Sequence, residues 1–145
     1  MPLDILKGEN VPTLDEVYQK FGFTAEAAQL LETELGNVLL LSAGVEHGWF
    51  IEPDGKFATE LHDAINRSTL GQLFKRLENS PLSLSDLETL FSSALRERNR
   101  LFHHFYRQHN FRRNSEEGRA IMWIDLNSIH ETLHRAYKAV MMSGS

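Results

Sequence analysis

Apolar residues along this chain recur at intervals of three and four rather than two, the spacing of one face of an α-helix. After Thr24, the positions Leu30, Leu31, Leu35, Val38, Leu39 and Leu41 trace such a face and predict a long helix to about Glu46. It is apolar on more than one side toward its end, so the cluster from Val38 to Leu41 belongs either to the centre of a bundle or to a dimer face. Upstream, Thr13-Leu14-Asp15-Glu16 has the form of a capping box and opens a short helix through Val17, Tyr18 and Phe21, which Gly22 stops. Downstream, Trp49 to Phe57, interrupted by Pro53-Asp54-Gly55, reads as a turn or short irregular crossing. Leu61, Ala64, Ile65, Leu73, Phe74 and Leu77 then predict a helical segment from about Ala58 to Asn79, with Gly71 leaving room for close packing or a kink. Asn79-Ser80-Pro81 ends it.

The next helix is announced by Ser85-Asp86-Leu87-Glu88, a second Ser-x-x-Glu capping box, and carries Leu87, Leu90, Phe91, Ala94, Leu95, Leu101, Phe102 and Phe105 to about Gln108. A basic loop around Asn110 to Asn114 follows, then a last helix from about Ser115 to Met141. Short connections between long amphipathic helices favour an antiparallel arrangement. The pattern therefore predicts an all-α fold: an antiparallel helical bundle of about four long helices plus a short N-terminal helix, forming one domain over residues 1–145. No internal repeat or coiled-coil heptad run interrupts it.

Composition narrows the chemistry. The chain has no cysteine, which excludes a disulfide framework, a thiol nucleophile and a thiolate metal site. It shows no membrane-length apolar run, no signal sequence at Met1-Pro2-Leu3-Asp4, no glycine-rich phosphate loop and no Gly-x-Ser-x-Gly, so a cytoplasmic protein without a cofactor is expected. The formal charge of −5 argues against a general nucleic-acid binder, but it is unevenly spread. Met1 to Asn66 holds twelve acids against three lysines, whereas Arg96 to Arg113 holds six arginines against Glu97 alone, with His103, His104 and His109 in the same stretch. A basic segment interleaved with Leu101, Phe102, Phe105, Tyr106 and Phe111 suits phosphates and unstacked bases. Its plainer reading is a solvated arginine face that balances the acidic first half.

Within that segment lies Arg98-Asn99-Arg100-Leu101-Phe102-His103. An unpaired guanidinium set among apolar residues is strongly unfavourable, so Arg98 requires a partner side chain, a second subunit or an anion such as phosphate. At about 100° per residue, Arg98 falls near the centre of the stripe formed by Leu87, Phe91, Ala94 and Phe105, and His103 lies roughly 140° round the helix from it. The plain alternative is that Arg98 snorkels or pairs with a glutamate and His103 is an ordinary boundary histidine.

Arg-Asn-x-Leu-x-His late in a long helix of a small all-helical chain resembles the signature of the HEPN superfamily (higher eukaryotes and prokaryotes nucleotide-binding). The resemblance implies a metal-independent endoribonuclease acting as a homodimer, with two motifs facing each other across a cleft and RNA cut to a 2′,3′-cyclic phosphate. On that resemblance Arg98 binds phosphate, His103 is the acid/base, and Asn99 orients one of them. Arg100, His104, Tyr106 and Arg107 are substrate-binding candidates by proximity. In members that are toxins paired with a nucleotidyltransferase antitoxin, a tyrosine commonly stands two residues after the histidine; here that position is Phe105. Other members bind without cutting, so a dimeric module for RNA, a nucleotide or a partner protein, such as an antitoxin or regulator, is the second expectation. A dimer held by an Arg98 salt bridge between subunits is the third.

His130-Glu131-Thr132-Leu133-His134 also matches HExxH, which on a helix sets two imidazoles one turn apart for zinc. A catalytic zinc needs a third protein ligand, and no His, Asp or Glu follows His134, so His47, His62 or an earlier acid could serve only through a fold unlike the usual metalloproteases. Packed boundary histidines beside the stripe Ile129, Leu133, Ala136, Tyr137 and Val140 are the expectation, with no metal.

Overall fold

The computed structural model describes residues 11–49, 51–80 and 87–143, and among them it is all-α with no strand. Six helices follow one another: α1 (Leu14–Glu46), α2 (Gly55–Asn66), α3 (Leu70–Glu78), α4 (Glu88–His103), a single-turn α5 (Phe105–Gln108) and α6 (Glu116–Ser143), with a 3-10 turn at Arg112–Asn114 before the last. The long helices α1 and α6 make the most extensive contact, and α4 packs on α6 beside them. Leu31 and Leu35 of α1 and Leu126, Ile129 and Leu133 of α6 are fully buried in one core, each such side chain contributing about 1.5–3 kcal/mol relative to exposure. No helix of the described residues is long and apolar enough to cross a membrane.

The bundle expected from the sequence is present, with four corrections of detail. First, the short N-terminal helix and the helix after Thr24 are one continuous α1. Its capping box at Thr13 and Glu16 forms as predicted. Gly22 does not stop it: a glycine in a helix interior costs about 1 kcal/mol, less than is gained by burying Val17, Ala28 and Leu31 on either side of it. Thr24 does not cap a new helix either, because its Oγ1 donates to the Lys20 carbonyl at 2.7 Å, a bond made inside a helix.

Second, the segment from Ala58 to Asn79 is two helices. The chain breaks at 67–69 rather than at Gly71, because Thr69 and Gln72 close a reciprocal capping box at 2.9 and 3.2 Å. Third, Asp54 accepts from the Phe57 N–H at 3.1 Å and caps α2, so the turn after Trp49 ends before Phe57.

This second correction changes the topology. Consecutive helices alternate in direction, as seen where Gly71 meets Leu95 and Phe74 stacks on Phe91 at 4.9 Å. An added reversal between α2 and α3 leaves the first and last long helices pointing the same way. Arg119 at the start of α6 accordingly donates to the Pro12 carbonyl just before α1 at 3.0 Å, and Lys20 lies 5.7 Å from the Trp123 ring centroid further along both.

Fourth, the helix predicted over Ser85 to Gln108 is interrupted at His104, whose φ of −134° and ψ of −11° leave the helical region. The capping box proposed at Ser85 lies outside the described residues. The predicted start at Ser115 is observed: its Oγ accepts from the Gly118 N–H at 3.0 Å. A Cβ on Gly118 would stand 2.1 Å from the Arg112 carbonyl oxygen, so only glycine lets the 3-10 turn lie against α6.

Candidate functional site

The arginine-histidine motif occupies the last turns of α4. The helix is positioned by its apolar side, where Phe91, Ala94 and Leu101 are buried against the core and Phe105 continues that line beyond the break. Leu101, rather than Arg98, takes the central place. Arg98 sits at the boundary with α1, its side chain 23% exposed, and its Nε donates to Oε1 of Glu32 at 3.3 Å. Its Nη1 donates to the Asn99 Oδ1 at 3.3 Å, and the guanidinium lies 4.8 Å from the Phe102 ring centroid. The pairing with a glutamate raised as the plain reading of Arg98 is therefore made within the chain. It is long, single and partly exposed, a geometry worth about 0–1 kcal/mol. No partner engages Nη2 among the described residues.

His103 is the final residue of α4 and is exposed; His104, at the break, is exposed too, and the two rings meet edge to face at 6.2 Å. Asn99 and His104 line an open depression of about 540 Å³ together with Arg96, Leu95 and Gln108. No hydrogen bond or ring contact joins Arg98 to His103 among the described residues. Tyr106 turns toward α1, 5.1 Å from the Phe21 ring and 6.3 Å from Tyr18, and burial pushes its hydroxyl pKa up. Arg107 is exposed.

Arg100, raised as a substrate contact, lines the same depression and is also engaged within the chain. Its guanidinium forks onto Asp125 of α6 at 2.7 and 2.6 Å, and also reaches Glu97 at 2.7 Å and Gln108 at 3.1 Å. The Asp125 hydrogen bonds, more than offsetting burial, raise the Arg100 pKa further above its ordinary value. Asp125 also binds Nε2 of the buried His109 at 2.6 Å. Arg112 Nη1 lies 2.9 Å from the other ring nitrogen, and arginine can only donate, so Nδ1 accepts and Nε2–H donates to Asp125. Burial alone would push the Asp125 carboxyl up, but the bonds from Arg100 and His109 hold it well below the carboxylate range. One carboxylate thereby ties both sides of the break at His104 to α6.

Asp125, His109 and Glu32 were not foreseen as site residues. A signal for Asp125 was available: it stands three residues after Met122 and four before Ile129, on the buried stripe of α6, where an acid needs a cationic partner. The basic loop beyond holds Phe111 at φ 62°, a left-handed conformation unusual for a bulky residue, with its ring 75% exposed.

Of the HExxH pair, His130 sits at the packed boundary as expected, whereas His134 is exposed. The His130 and His134 rings are 6.3 Å apart, Glu131 pairs with Arg135 at 2.7 Å, and Nδ1 of His130 is buried without a hydrogen-bond partner. Burial, with help from Lys20 and His134, pulls the His130 pKa down. Among the described residues no three His, Asp or Glu side chains gather as metal ligands. Compared with known protein families, curated proteins and solved structures, the chain matches none of them.

Proposed function

We propose that the chain is a metal-independent endoribonuclease that cuts single-stranded RNA at a site shared between two copies. The observation that carries this reading is the placement of His103 on the exposed last residue of α4, at a pinned helix break, with the uncommitted edge of Arg98 one turn earlier. In the reaction, the imidazole of His103 takes the proton from a ribose 2′-hydroxyl; the 2′-oxygen attacks phosphorus and the bond to the 5′-oxygen breaks. Arg98 exchanges its weak contact with Glu32 for the phosphate and stabilises the charge that builds on it. In the shared site, the acid that protonates the leaving 5′-oxygen is the partner subunit's His103. Exposed Phe111, framed by Arg107, Arg112 and Arg113, provides a surface on which an unpaired base stacks.

The Arg98–Glu32 contact favours a second reading, because an arginine already neutralised by the acidic α1 serves a module that binds RNA, a nucleotide or a partner protein without cutting. One experiment separates the two. A pool of single-stranded RNAs is incubated in excess EDTA with the native chain, Arg98→Ala and His103→Ala, all three checked for folding and association. The ribonuclease reading expects cyclic-phosphate ends from the native chain and none from either variant. Intact RNA across several sequences, with binding retained, assigns the chain to the module.

A further inference from the structure

Helix α1 carries a second apolar stripe that stays exposed among the described residues. Phe23, Leu30, Leu41 and Val45 are 60, 47, 50 and 66% exposed, and at 100° per residue the first three lie within about 20° of one another and Val45 within about 60°, along roughly 33 Å of helix. Scattered exposed leucines are ordinary, whereas an aligned row is the mark of a contact surface. Glu26 lies about 40° to one side of Leu30, Glu34 lies inside the row, about 20° from both Leu41 and Val45, and neither has an ion-pair partner among the described residues. The final turn of α1 adds Glu46 and no base, which sets an acid at the negative end of the helix dipole, an arrangement an approaching cation relieves. Just past it, Trp49 and Phe57 meet at 5.8 Å in a depression that Glu52 and Asp54 also line, where an ammonium or guanidinium group finds both ring faces and carboxylates.

We infer that this face of α1 is a docking site for a basic amphipathic helix presented by a different protein. A second copy of the chain fits poorly for two reasons. Two α1 stripes packed on each other would bring the Glu26 and Glu34 carboxylates of both copies into one seam. The basic segment of a second copy has the right charge, but Glu32, which meets Arg98, is about 200° round α1 from Leu30. The stripe and the arginines therefore sit on opposite sides of the molecule, and their contact would run head to tail without closing a two-fold dimer. The inference is independent of whether the chain cuts RNA.

The test uses a fluorescent synthetic peptide of leucine and lysine, about 22 residues long to match the stripe and patterned for a single apolar helical face, against a scrambled peptide of the same composition. Anisotropy with the full chain is expected to show binding of the patterned peptide only. The pair Leu30→Gln and Leu41→Gln weakens it by at least about tenfold, and Glu26→Gln with Glu34→Gln weakens it several-fold and flattens its salt dependence. Phe111→Gln, on the far loop, leaves it unchanged. All the replaced side chains reach solvent, and circular dichroism confirms that each variant folds. Equal binding of both peptides, no binding, or affinity indifferent to the α1 substitutions would overturn the inference. So would sedimentation showing that the native chain self-associates and that Leu30→Gln with Leu41→Gln dissolves the assembly, since a second copy would then be the occupant.

Discussion

Replacing Asp125 by asparagine should destabilise the whole bundle and loosen the end of α4. Its carboxylate accepts three bonds of 2.6–2.7 Å, two from the Arg100 fork and one from His109, with its side chain 20% exposed. A hydrogen bond to a charged group is worth about 1.5–3 kcal/mol, but the three are not additive, and Glu97 stays on Arg100 at 2.7 Å to keep it from being left unpaired. An asparagine keeps the shape and offers a single carbonyl to three donors. The expected loss is therefore about 2–3 kcal/mol at pH 7, or roughly 6–9 °C in Tm for a chain of this size. Because folding holds the carboxyl below its ordinary pKa, the native chain keeps this contribution above about pH 4 and loses it as pH falls through the depressed folded value. The gap between native and Asp125→Asn should accordingly narrow on acidification. Urea denaturation at pH 7 and pH 3 reads both quantities, and amide exchange at residues 101–109 reports whether the break at His104 has come loose. A Tm change under about 2 °C together with unaltered exchange at those amides would refute the argument that one carboxylate holds the two sides of the break.

Gly22→Ala should stabilise the protein by about 0.5–1 kcal/mol, because the position is helical and a Cβ there meets nothing within 4 Å; thermal denaturation detects it as a rise in Tm. Gly118→Ala should cost about 1–3 kcal/mol or more and displace the Arg112–Asn114 turn, visible as new amide chemical shifts confined to that turn and to α6. The pH dependence of His130 has a defined sign. Its folded pKa lies below the ordinary value, so folding keeps the imidazole neutral and stability falls as pH drops below about 6.5 toward that depressed value. His130→Leu removes the buried nitrogen that lacks a partner and should gain about 1 kcal/mol, more at pH 5 than at pH 8, when denaturation is compared at the two values.

Periodicity was enough to establish an all-helical chain, because each helix buries one side and the intervals of Leu31, Leu35 and Val38 or of Leu126, Ile129 and Leu133 record that side directly. Capping chemistry placed the start of α1, since Thr13 acts on the backbone within three residues of itself. The boundary at Thr69 is equally local, but the single helix expected from Ala58 to Asn79 passes over its Thr-x-x-Gln box. Charge along the chain marked the arginine segment, and the motif within it drew attention to Arg98 and His103. What those residues touch was not legible. Glu32 is 66 positions from Arg98 and Asp125 is 25 from Arg100, and no local spacing says which acid meets which arginine. The common direction of α1 and α6 depended on how many times the chain reverses between them, and the two sides of the interruption at His104 are tied together by a carboxylate from another helix. Local order follows from interactions of a few residues with their neighbours and can be read in one dimension. The partners of charged groups, the faces left uncovered and the direction of packed helices depend on encounters between distant segments, and only the tertiary structure decides them.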